Sequence, residues 1–278
     1  MLRIERPALS PGLMLRSISE RGWEGGVMTS RSKVLRFSGQ HTVDCSSCRS
    51  SPLCFTGRLP VDEIAELGDI IRPLATLNKG DPLILQGSPF TSLFMVRSGS
   101  LKQATTTGSD EYLVTAFFLS GELIGLDAIG EGRYPGSVVS LETATVCELP
   151  FAEFLELGTR VPELRRRFLR NLSLEVGSER LGMRLLLRRT AEVRLAYFLV
   201  AMSERFRRRG YSPYRFRLAM PRGDIANYLG LTVETVGRTL VRYRDQGLLV
   251  TRGPEVHILD MPRLERLAEA SGRRRREA

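Results

Sequence analysis

Three of the four cysteines in this chain lie within ten residues of one another, at Cys45, Cys48 and Cys54, and the fourth, Cys147, lies far downstream. Serine and proline residues interrupt the triplet, and a loop of this composition is suited to holding a metal centre through its thiolates. Three ligands from one loop require a fourth, and Cys147 is the remaining thiol. A cysteine at the end of a β-like run such as residues 143–147 is more often a small core residue, so Cys147 has two interpretations.

Two kinds of metal centre compete for these thiols. Zinc in a closed structural site takes four tetrahedral ligands, commonly from two C-x2-C pairs, whereas a cubane iron–sulfur cluster is held by four cysteine thiolates. The chain contains a single C-x2-C pair. The pattern therefore favours an iron–sulfur cluster, although spacing alone does not separate the two.

Composition limits the classes to which the protein can belong. No stretch approaches the roughly 20 apolar residues of a membrane span, and the N-terminal residues lack the apolar segment of a secretion signal. A cytoplasmic protein with reduced thiols is therefore expected. The formal net charge of +10 indicates a polyanionic partner. With two histidines, no Ser-His-Asp set, no phosphate-binding loop and no dinucleotide fingerprint, the chain is not expected to be an enzyme.

Sequence patterns predict an α+β fold with an N-terminal β-roll, a long dimerisation helix and a C-terminal winged helix-turn-helix. Regularly spaced glycines between short β-rich runs indicate the β-roll. The residues before Met28, a second plausible start, lack periodicity, so they form a disordered leader or follow a start placed too early. The predicted boundaries are 1–41 for this leader, 42–60 for the cysteine loop, 61–160 for the β-roll, 161–190 for the long helix, 191–270 for the winged unit and 271–278 for a basic tail.

A helical periodicity begins at Pro162 and continues to about Thr190, interrupted by two glycines alone. Apolar residues spaced three and four apart form a narrow stripe of the heptad type, and arginines crowd the other faces. The stripe consists of Leu169, Leu172, Val176, Glu179, Met183 and Leu186. It either covers the core of its own domain or forms the seam of a two-stranded dimer. The narrow stripe and charged flanks favour the dimer.

Glu179 places a carboxylate within that stripe. In a symmetric parallel pair of helices it faces its own copy, and two like charges there oppose association by about 1 kcal/mol or more. If the side chain points outward instead, it has no effect on the dimer. An inward Glu179 makes the dimer marginal, which a switch requires.

Residues 221–247 have the pattern of a helix-turn-helix. The first predicted helix is Arg222–Leu229, Gly230 supplies the turn, and Thr232 is a suitable N-cap for the second helix. Two apolar runs around a Gly-Pro turn, residues 248–259, predict the hairpin of a winged variant. A plain helical bundle can show similar spacing, but the wing and the exposed charges favour DNA binding.

The exposed front of the second helix consists of Val233, Glu234, Gly237 and Arg238. Arginine can donate two hydrogen bonds to guanine, and glutamate can accept one from the amino group of cytosine. These four residues are therefore the predicted contacts with bases in double-stranded DNA.

Several strings of this chain resemble the fumarate and nitrate reduction regulator (FNR) family, oxygen sensors of the cyclic-AMP receptor protein superfamily. The resemblance runs from about Thr42 to Leu267 and includes all four cysteines. The strings that carry it are VRSGSLK at 96–102, FFLSGELIGLDAIG at 117–130, LETATVCELPF at 141–151 and RGDIANYLGLTVETVGR at 222–238.

The resemblance implies a [4Fe-4S]²⁺ cluster on Cys45, Cys48, Cys54 and Cys147, in a homodimer that binds palindromic DNA when oxygen is absent. Oxygen converts such a cluster towards [2Fe-2S], the dimer weakens and transcriptional control is lost. The resemblance also assigns to Glu179 the role of keeping the dimer marginal. It implies a half-site close to TTGAT, with Glu234 and Arg238 reading the TGA core.

The resemblance also leads to expectations about a cyclic nucleotide and about RNA polymerase. Cyclic-AMP sensors of the superfamily grip the nucleotide phosphate with an Arg-Ser pair, and residues 133–140, RYPGSVVS, contain no such pair. A cyclic nucleotide is therefore not expected. The loop Thr107–Glu111 is the expected contact with RNA polymerase, which makes activation the expected outcome, with repression as the alternative at some targets.

The sequence departs from the family pattern at two positions. Gly237 occupies the place where the family usually has serine, so discrimination at the outer base of the half-site is open. Arg49 follows Cys48, where small polar residues are common, and a cation there is expected to alter the stability or oxygen lifetime of an anionic cluster.

Two alternative functions are compatible with the residues. One is a regulator of the same fold whose cysteines bind zinc or sense nitric oxide. The other is an iron–sulfur electron-transfer protein, which the helix-turn-helix and the lack of a second cysteine motif disfavour.

Overall fold

The computed structural model describes residues 45, 48, 54, 60–106, 112–188 and 190–269, with the backbone alone for residues 61, 62, 178 and 181–188. Four segments discussed above lie outside the described residues: the leader 1–41, Arg49, the loop Thr107–Glu111 and the basic tail 271–278. The described residues form the predicted α+β fold, with two β-sheets followed by long helices and a small winged unit.

Two four-stranded antiparallel sheets form the β-roll. The first has the strand order β1 (Arg72–Pro73), β8 (Thr145–Pro150), β3 (Ser92–Ser98) and β6 (Leu123–Ile124). The second has the order β2 (Pro82–Ile84), β7 (Ser137–Ser140), β4 (Ser100–Thr106) and β5 (Tyr112–Leu119). Apolar side chains from both sheets form one core, because alternate residues of each strand point to the same side.

Glycine is required at the turn between β3 and β4. Gly99 has a φ of 78°, and a Cβ at this position would lie 2.5 Å from the Thr143 carbonyl oxygen. Both the left-handed conformation and the close approach exclude a side chain.

Helices flank the strands inside the segment predicted as β-roll. The segment begins with helix α1 (Val61–Ile70) and ends with helix α2 (Phe151–Arg160). Neither contains the glycine turns on which the β prediction rested, and their buried apolar residues recur at helical spacing, as Phe154 and Leu157 do in α2. A short 3₁₀ turn, Leu126–Ala128, follows β6.

The predicted long helix is present as α3 (Pro162–Arg188). Helix α4 (Ala191–Arg208) follows after a short break, and its N-cap is Thr190, whose Oγ1 accepts a hydrogen bond from the backbone N–H of Val193. This cap satisfies one of the N–H groups left free at the start of a helix.

The C-terminal unit is a winged helix-turn-helix. It contains helices α5 (Arg222–Tyr228), α6 (Val233–Asp245) and α7 (Met261–Glu269) and a three-stranded sheet with the order β10 (Leu249–Arg252), β11 (Glu255–Ile258) and β9 (Arg215–Arg217). The sequence predicts the β10–β11 hairpin but not β9, which is too short to show a period of its own. The core of this unit continues into β5 through Val114, Phe117 and Leu119.

Candidate metal centre and DNA-reading helix

Cys147 lies in the middle of the first sheet of the β-roll. On β8 it is paired with Met95 of β3 on one side and with Pro73 of β1 on the other. Its side chain is 7% exposed and belongs to an apolar cluster with Met95, Leu149 and Phe154, which we call the thiol cluster. Cys147 is therefore packed as a core residue. A ligand role for its thiol has to be compatible with this burial.

The loop cysteines lie against the same cluster. Cys45, Cys48 and Cys54 are half-buried, and Cys45 and Cys54 pack against the thiol cluster that contains Cys147. Burial raises the pKa of the Cys147 thiol to about 11; Arg97 lowers it, and Cys48 and Cys54 raise it further. Cys48 and Cys54 are therefore close enough to Cys147 to influence its charge. Cys45 and Cys54 thus lie near Cys147 through shared packing, and Cys48 through its electrostatic influence.

The described residues contain no group of three or more His, Cys, Asp or Glu side chains arranged around a single metal ion. A tetrahedral zinc site with sulfur ligands about 2.3 Å from the metal requires thiolates roughly 3.8 Å from one another. A cubane cluster separates its thiolates more widely, because each thiolate binds a different iron. The described thiols therefore do not form a single-ion site, and the donor set, which consists of cysteines alone, is of the kind that holds an iron–sulfur cluster.

Arg97 is a neighbour of the thiol site that the sequence analysis did not select. The pairing of β3 with β8 shifts register between Val96 and Ser98, so Arg97 occupies a bulge. A bulge redirects the side chain of its extra residue, and here the guanidinium favours the charged form of Cys147. A cation directly after an apolar run, as in VRSG, is too common a pattern to be selected without the fold.

The thiol cluster also includes the beginning of α3. Leu164 and Phe168 are buried in it, Leu172 packs against it, and the rings of Phe154 and Phe168 meet edge to face at 5.0 Å. Cys147 and the first turns of α3 therefore share one apolar core. A change in the cysteine loop can reach the long helix through these contacts.

Beyond Phe168 the predicted stripe of α3 turns away from the core. Leu169 is 58% exposed and Val176 is 45% exposed, whereas Leu172 is half-buried. Glu179 is exposed as well. The side chains of Met183 and Leu186 lie outside the described residues. Within the described part, the apolar stripe continues past the core of its own chain.

The reading helix has the geometry that the sequence predicts. Thr232 caps α6, since its Oγ1 accepts a hydrogen bond from the backbone N–H of Thr235 at 3.1 Å. Gly230 turns the chain between α5 and α6 with a φ of 61°. Ile225 and Ala226 of α5 and Val236 of α6 are buried between the two helices and the wing.

The predicted base contacts lie together on the first two turns of α6. Val233, Glu234 and Arg238 are exposed, and the side chains of Glu234 and Arg238 form an ion pair at 3.7 Å. A Cβ added at Gly237 would meet no atom within 4 Å. This face is therefore open, polar and free to enter a major groove.

Two domain families match this chain. The cyclic nucleotide-binding domain matches residues 74–160, and the Crp-like helix-turn-helix domain matches residues 193–267. The solved structure of FixK2 from Bradyrhizobium japonicum superposes with a TM-score of 0.66 at 23% identity, covering 73% of this chain and 100% of that chain, which shows the shared fold. No helix in the described part of the chain is long and apolar enough to cross a membrane.

Curated relatives extend the similarity over most of the chain. The transcriptional activator protein Anr of Pseudomonas aeruginosa is 45% identical over 224 residues, 81% of this chain and 92% of that protein. The fumarate and nitrate reduction regulatory protein of Escherichia coli strain K12 is 40% identical over 231 residues, 83% of this chain and 92% of that protein. These relatives regulate transcription and are not enzymes. Identity at this level along nearly the whole of each relative means that the chain belongs to the family of Anr and the fumarate and nitrate reduction regulators, which bind DNA through a Crp-like helix-turn-helix.

Proposed function

We propose that this protein is an oxygen-responsive transcriptional regulator that binds DNA as a homodimer when a [4Fe-4S] cluster is intact. The cluster is held by Cys45, Cys48, Cys54 and Cys147. The target is a palindrome of TTGAT-type half-sites, read by residues of α6. The proposed domain boundaries are those predicted from the sequence, with the cysteine loop at 42–60 and the winged unit at 191–270.

The observation that carries this proposal is the shared core of Cys147 and the long helix. Cys147 is buried in the same apolar cluster as Leu164 and Phe168, which belong to the first two turns of α3. A site at Cys147 therefore borders the helix that carries the predicted dimer seam. The proposed sensing site in the β-roll and the proposed association surface on α3 therefore lie next to each other.

The thiols suit the cluster chemically. All four candidate ligands are cysteines, and Cys147 lies in a dry, apolar setting beside the cationic Arg97. The positive charge of Arg97 favours an anionic iron–sulfur centre, and low solvent access keeps water from it, whereas burial by itself opposes the negative charge. When bound, the cluster supplies a group that oxygen degrades. The protein residues position the four thiolates, exclude water and couple the site to α3.

The dimer seam is formed by Leu169, Leu172, Val176, Glu179, Met183 and Leu186. Leu169 and Val176 are exposed large apolar side chains on one helix, and a second copy of α3 would cover them. The paired Glu179 carboxylates oppose that association and make the dimer marginal. A small structural change at the cysteine site is then enough to shift the equilibrium between monomer and dimer.

DNA recognition is proposed for Val233, Glu234, Gly237 and Arg238. Glu234 and Arg238 are exposed neighbours on one face of α6, with their charged groups 3.7 Å apart. Arg238 can then donate to guanine and Glu234 accept from cytosine in the TGA core. Contact with RNA polymerase is proposed as well, because the relatives are named transcriptional activators.

A cyclic nucleotide is not the proposed effector. The interior of the β-roll is filled by apolar side chains and by Tyr134, whose hydroxyl donates to the Ser92 carbonyl oxygen at 2.6 Å. Arg133 points instead to the Gly87 carbonyl oxygen, at 2.7 Å. Neither side chain supplies the Arg-Ser phosphate grip of the cyclic-AMP sensors.

The deciding experiment is anaerobic purification with iron and acid-labile sulfide assays, an absorption spectrum and DNA binding, each repeated after timed exposure to air. About four irons per chain, visible absorption that bleaches in air and DNA binding that disappears with it are the expected results. Zinc without sulfide, or DNA binding that is indifferent to air, would refute oxygen sensing and leave the DNA-binding fold in place.

A further inference from the structure

The strand β5 is the edge of its sheet, and helix α5 of the DNA-reading unit closes that edge. The side-chain amide of Asn227 donates to the carbonyl oxygen of Tyr112 at 2.7 Å, and its oxygen accepts from the backbone N–H of Val114 at 2.7 Å. A neighbouring strand would make the same pair of bonds. Asn227 therefore satisfies edge groups that would otherwise face solvent.

A second contact on the same face of α5 is an ion pair with the β-roll. The Lys102 ammonium lies 2.7 Å from the Asp224 carboxylate, and the side chains are 17% and 14% exposed. Lys102 also lies 5.2 Å from the centre of the Tyr112 ring. Asp224 and Asn227 are three residues apart, so they project from one side of the helix.

Aromatic packing completes the joint. The ring of Phe117 on β5 lies 5.2 Å from that of Tyr228 at the end of α5, and 6.2 Å from that of Phe198 on α4. The joint therefore combines directional polar bonds with a shared apolar core. The base-reading residues of α6 remain exposed in this docked arrangement.

We propose that Asp224 and Asn227 are positioning residues for DNA recognition. They fix α5 on the β-roll, and α5 in turn fixes the direction in which α6 presents Glu234 and Arg238 relative to α3. In a dimer, this direction sets the distance between the two reading helices. It thereby sets the spacing of half-sites that the protein accepts, since half-sites must lie about one helical turn, roughly 34 Å, apart. This inference rests on the proposed dimeric binding to two half-sites.

The test compares Asn227→Ala and Asp224→Asn with the wild type, all cluster-loaded and anaerobic, on palindromes whose central spacer is lengthened or shortened by one base pair. Each variant should bind the optimal spacing about tenfold more weakly and discriminate less between spacings. Base preference on a single half-site should be unchanged. Glu265→Gln, an exposed substitution on α7, is the control and should bind as the wild type does.

A charge exchange separates positioning from a general loss of structure. Lys102→Glu and Asp224→Lys should each weaken spacing discrimination, and the double variant should restore it, because the ion pair is reformed in reverse. The proposal would be overturned if the single variants kept the spacing dependence of the wild type. It would also be overturned if they lost as much affinity for a single half-site as for the palindrome.

The joint can also be tested without DNA. Asn227→Ala should accelerate amide hydrogen exchange at Val114, whose N–H then loses its hydrogen-bond acceptor, while exchange in α6 stays the same. An unchanged exchange rate at Val114 would mean that the contact between Asn227 and Val114 does not position α5. A wild-type protein that binds no two-half-site DNA would instead reject the proposed function, and exchange at Val114 would still decide the docking.

Discussion

The Glu122 carboxylate of the β-roll accepts a hydrogen bond at 2.6 Å from the guanidinium of Arg209, the C-cap residue of α4. Arg205 donates to the same carboxylate through its Nε at 2.9 Å, and Arg209 also donates to the Ser120 carbonyl oxygen. The backbone N–H of Leu119 donates to the second carboxylate oxygen at 2.9 Å. One half-buried carboxylate thus ties α4, and with it the DNA-reading unit, to the sheet.

Replacing Glu122 with glutamine should destabilise the protein in a pH-dependent manner. Burial raises the pKa of this carboxyl, but Arg205 and then Arg209 outweigh burial and hold the pKa below its usual value. A lowered pKa means that the stabilisation is present above about pH 4.3, the unfolded value, and is lost as the pH falls through the folded value. Glu122→Gln should therefore cost about 2 kcal/mol at pH 7 and progressively less in acid.

Urea unfolding of the apo protein at several pH values between neutral and about 3.5 measures this difference. Glu156→Gln, on the exposed face of α2, is the matched control and should change stability little. A cost for Glu122→Gln that does not shrink in acid would show that packing, and not charge, holds this joint.

Replacing Glu179 with alanine should strengthen the apo dimer in air. The substitution removes two like charges from the proposed seam, which favours association by about 1 kcal/mol, or roughly fivefold in the dissociation constant. Sedimentation velocity of the apo protein measures the monomer fraction. Glu265→Ala removes the same charge from α7 and should leave the fraction unchanged. Equal monomer fractions for Glu179→Ala and the wild type would mean that Glu179 lies outside the seam.

Sequence periodicity was sufficient for the elements whose pattern is local. The cap at Thr232 and the stripe of α3 can be read from a few adjacent residues, and the bounds of α3 and α5 and the start of α6 follow the predicted ones closely. Helix α1 was missed, because ten residues beside a glycine-punctuated region give a weak signal against a β pattern.

The candidate site shows the same division between local and long-range signals. Cys147 could be chosen as the fourth thiol because the chain has no other. Arg97 and Asn227 could not be chosen, since Arg97 matters through its register with β8 and Asn227 through bonds to a strand more than 100 residues away. Contacts of this kind can be identified only when the fold is known.

Replacing Cys147 with alanine should abolish iron loading and anaerobic DNA binding while the fold persists. Alanine removes one sulfur from the thiol cluster, at a cost of about 1 kcal/mol in stability. Iron and sulfide content and a gel-shift assay measure the two losses. Met95→Leu, opposite Cys147 on β3, perturbs the same packing and keeps the thiol, so it should load normally. Full iron content in Cys147→Ala would exclude the four-cysteine ligand set.

Replacing Gly237 with serine should be tolerated and should change the outer base preference of the half-site. A Cβ at this position meets no atom within 4 Å, so α6 can accept it, and helix propensity predicts a gain of about 0.5 kcal/mol. The serine hydroxyl can donate to or accept from a base edge. Binding to half-sites carrying each base at the outer position measures the change. Gly223→Ser, an equally open position on α5, should leave base preference as it is.

Replacing Arg238 with alanine should remove the preference for the TGA core. Arg238 lies on the exposed front of α6, 3.7 Å from Glu234, and a lost bidentate bond to guanine costs about 1–3 kcal/mol. Affinities for the palindrome and for variants changed at the guanine measure this loss.

Arg238→Lys separates charge from geometry, because lysine keeps the positive charge but lacks the fork that spans two acceptors. The lysine variant should retain the salt dependence of binding and lose base selectivity, whereas Lys79→Ala, a charge removed from an exposed turn of the β-roll, should lose neither. Wild-type selectivity in Arg238→Ala would place the reading surface elsewhere on the winged unit.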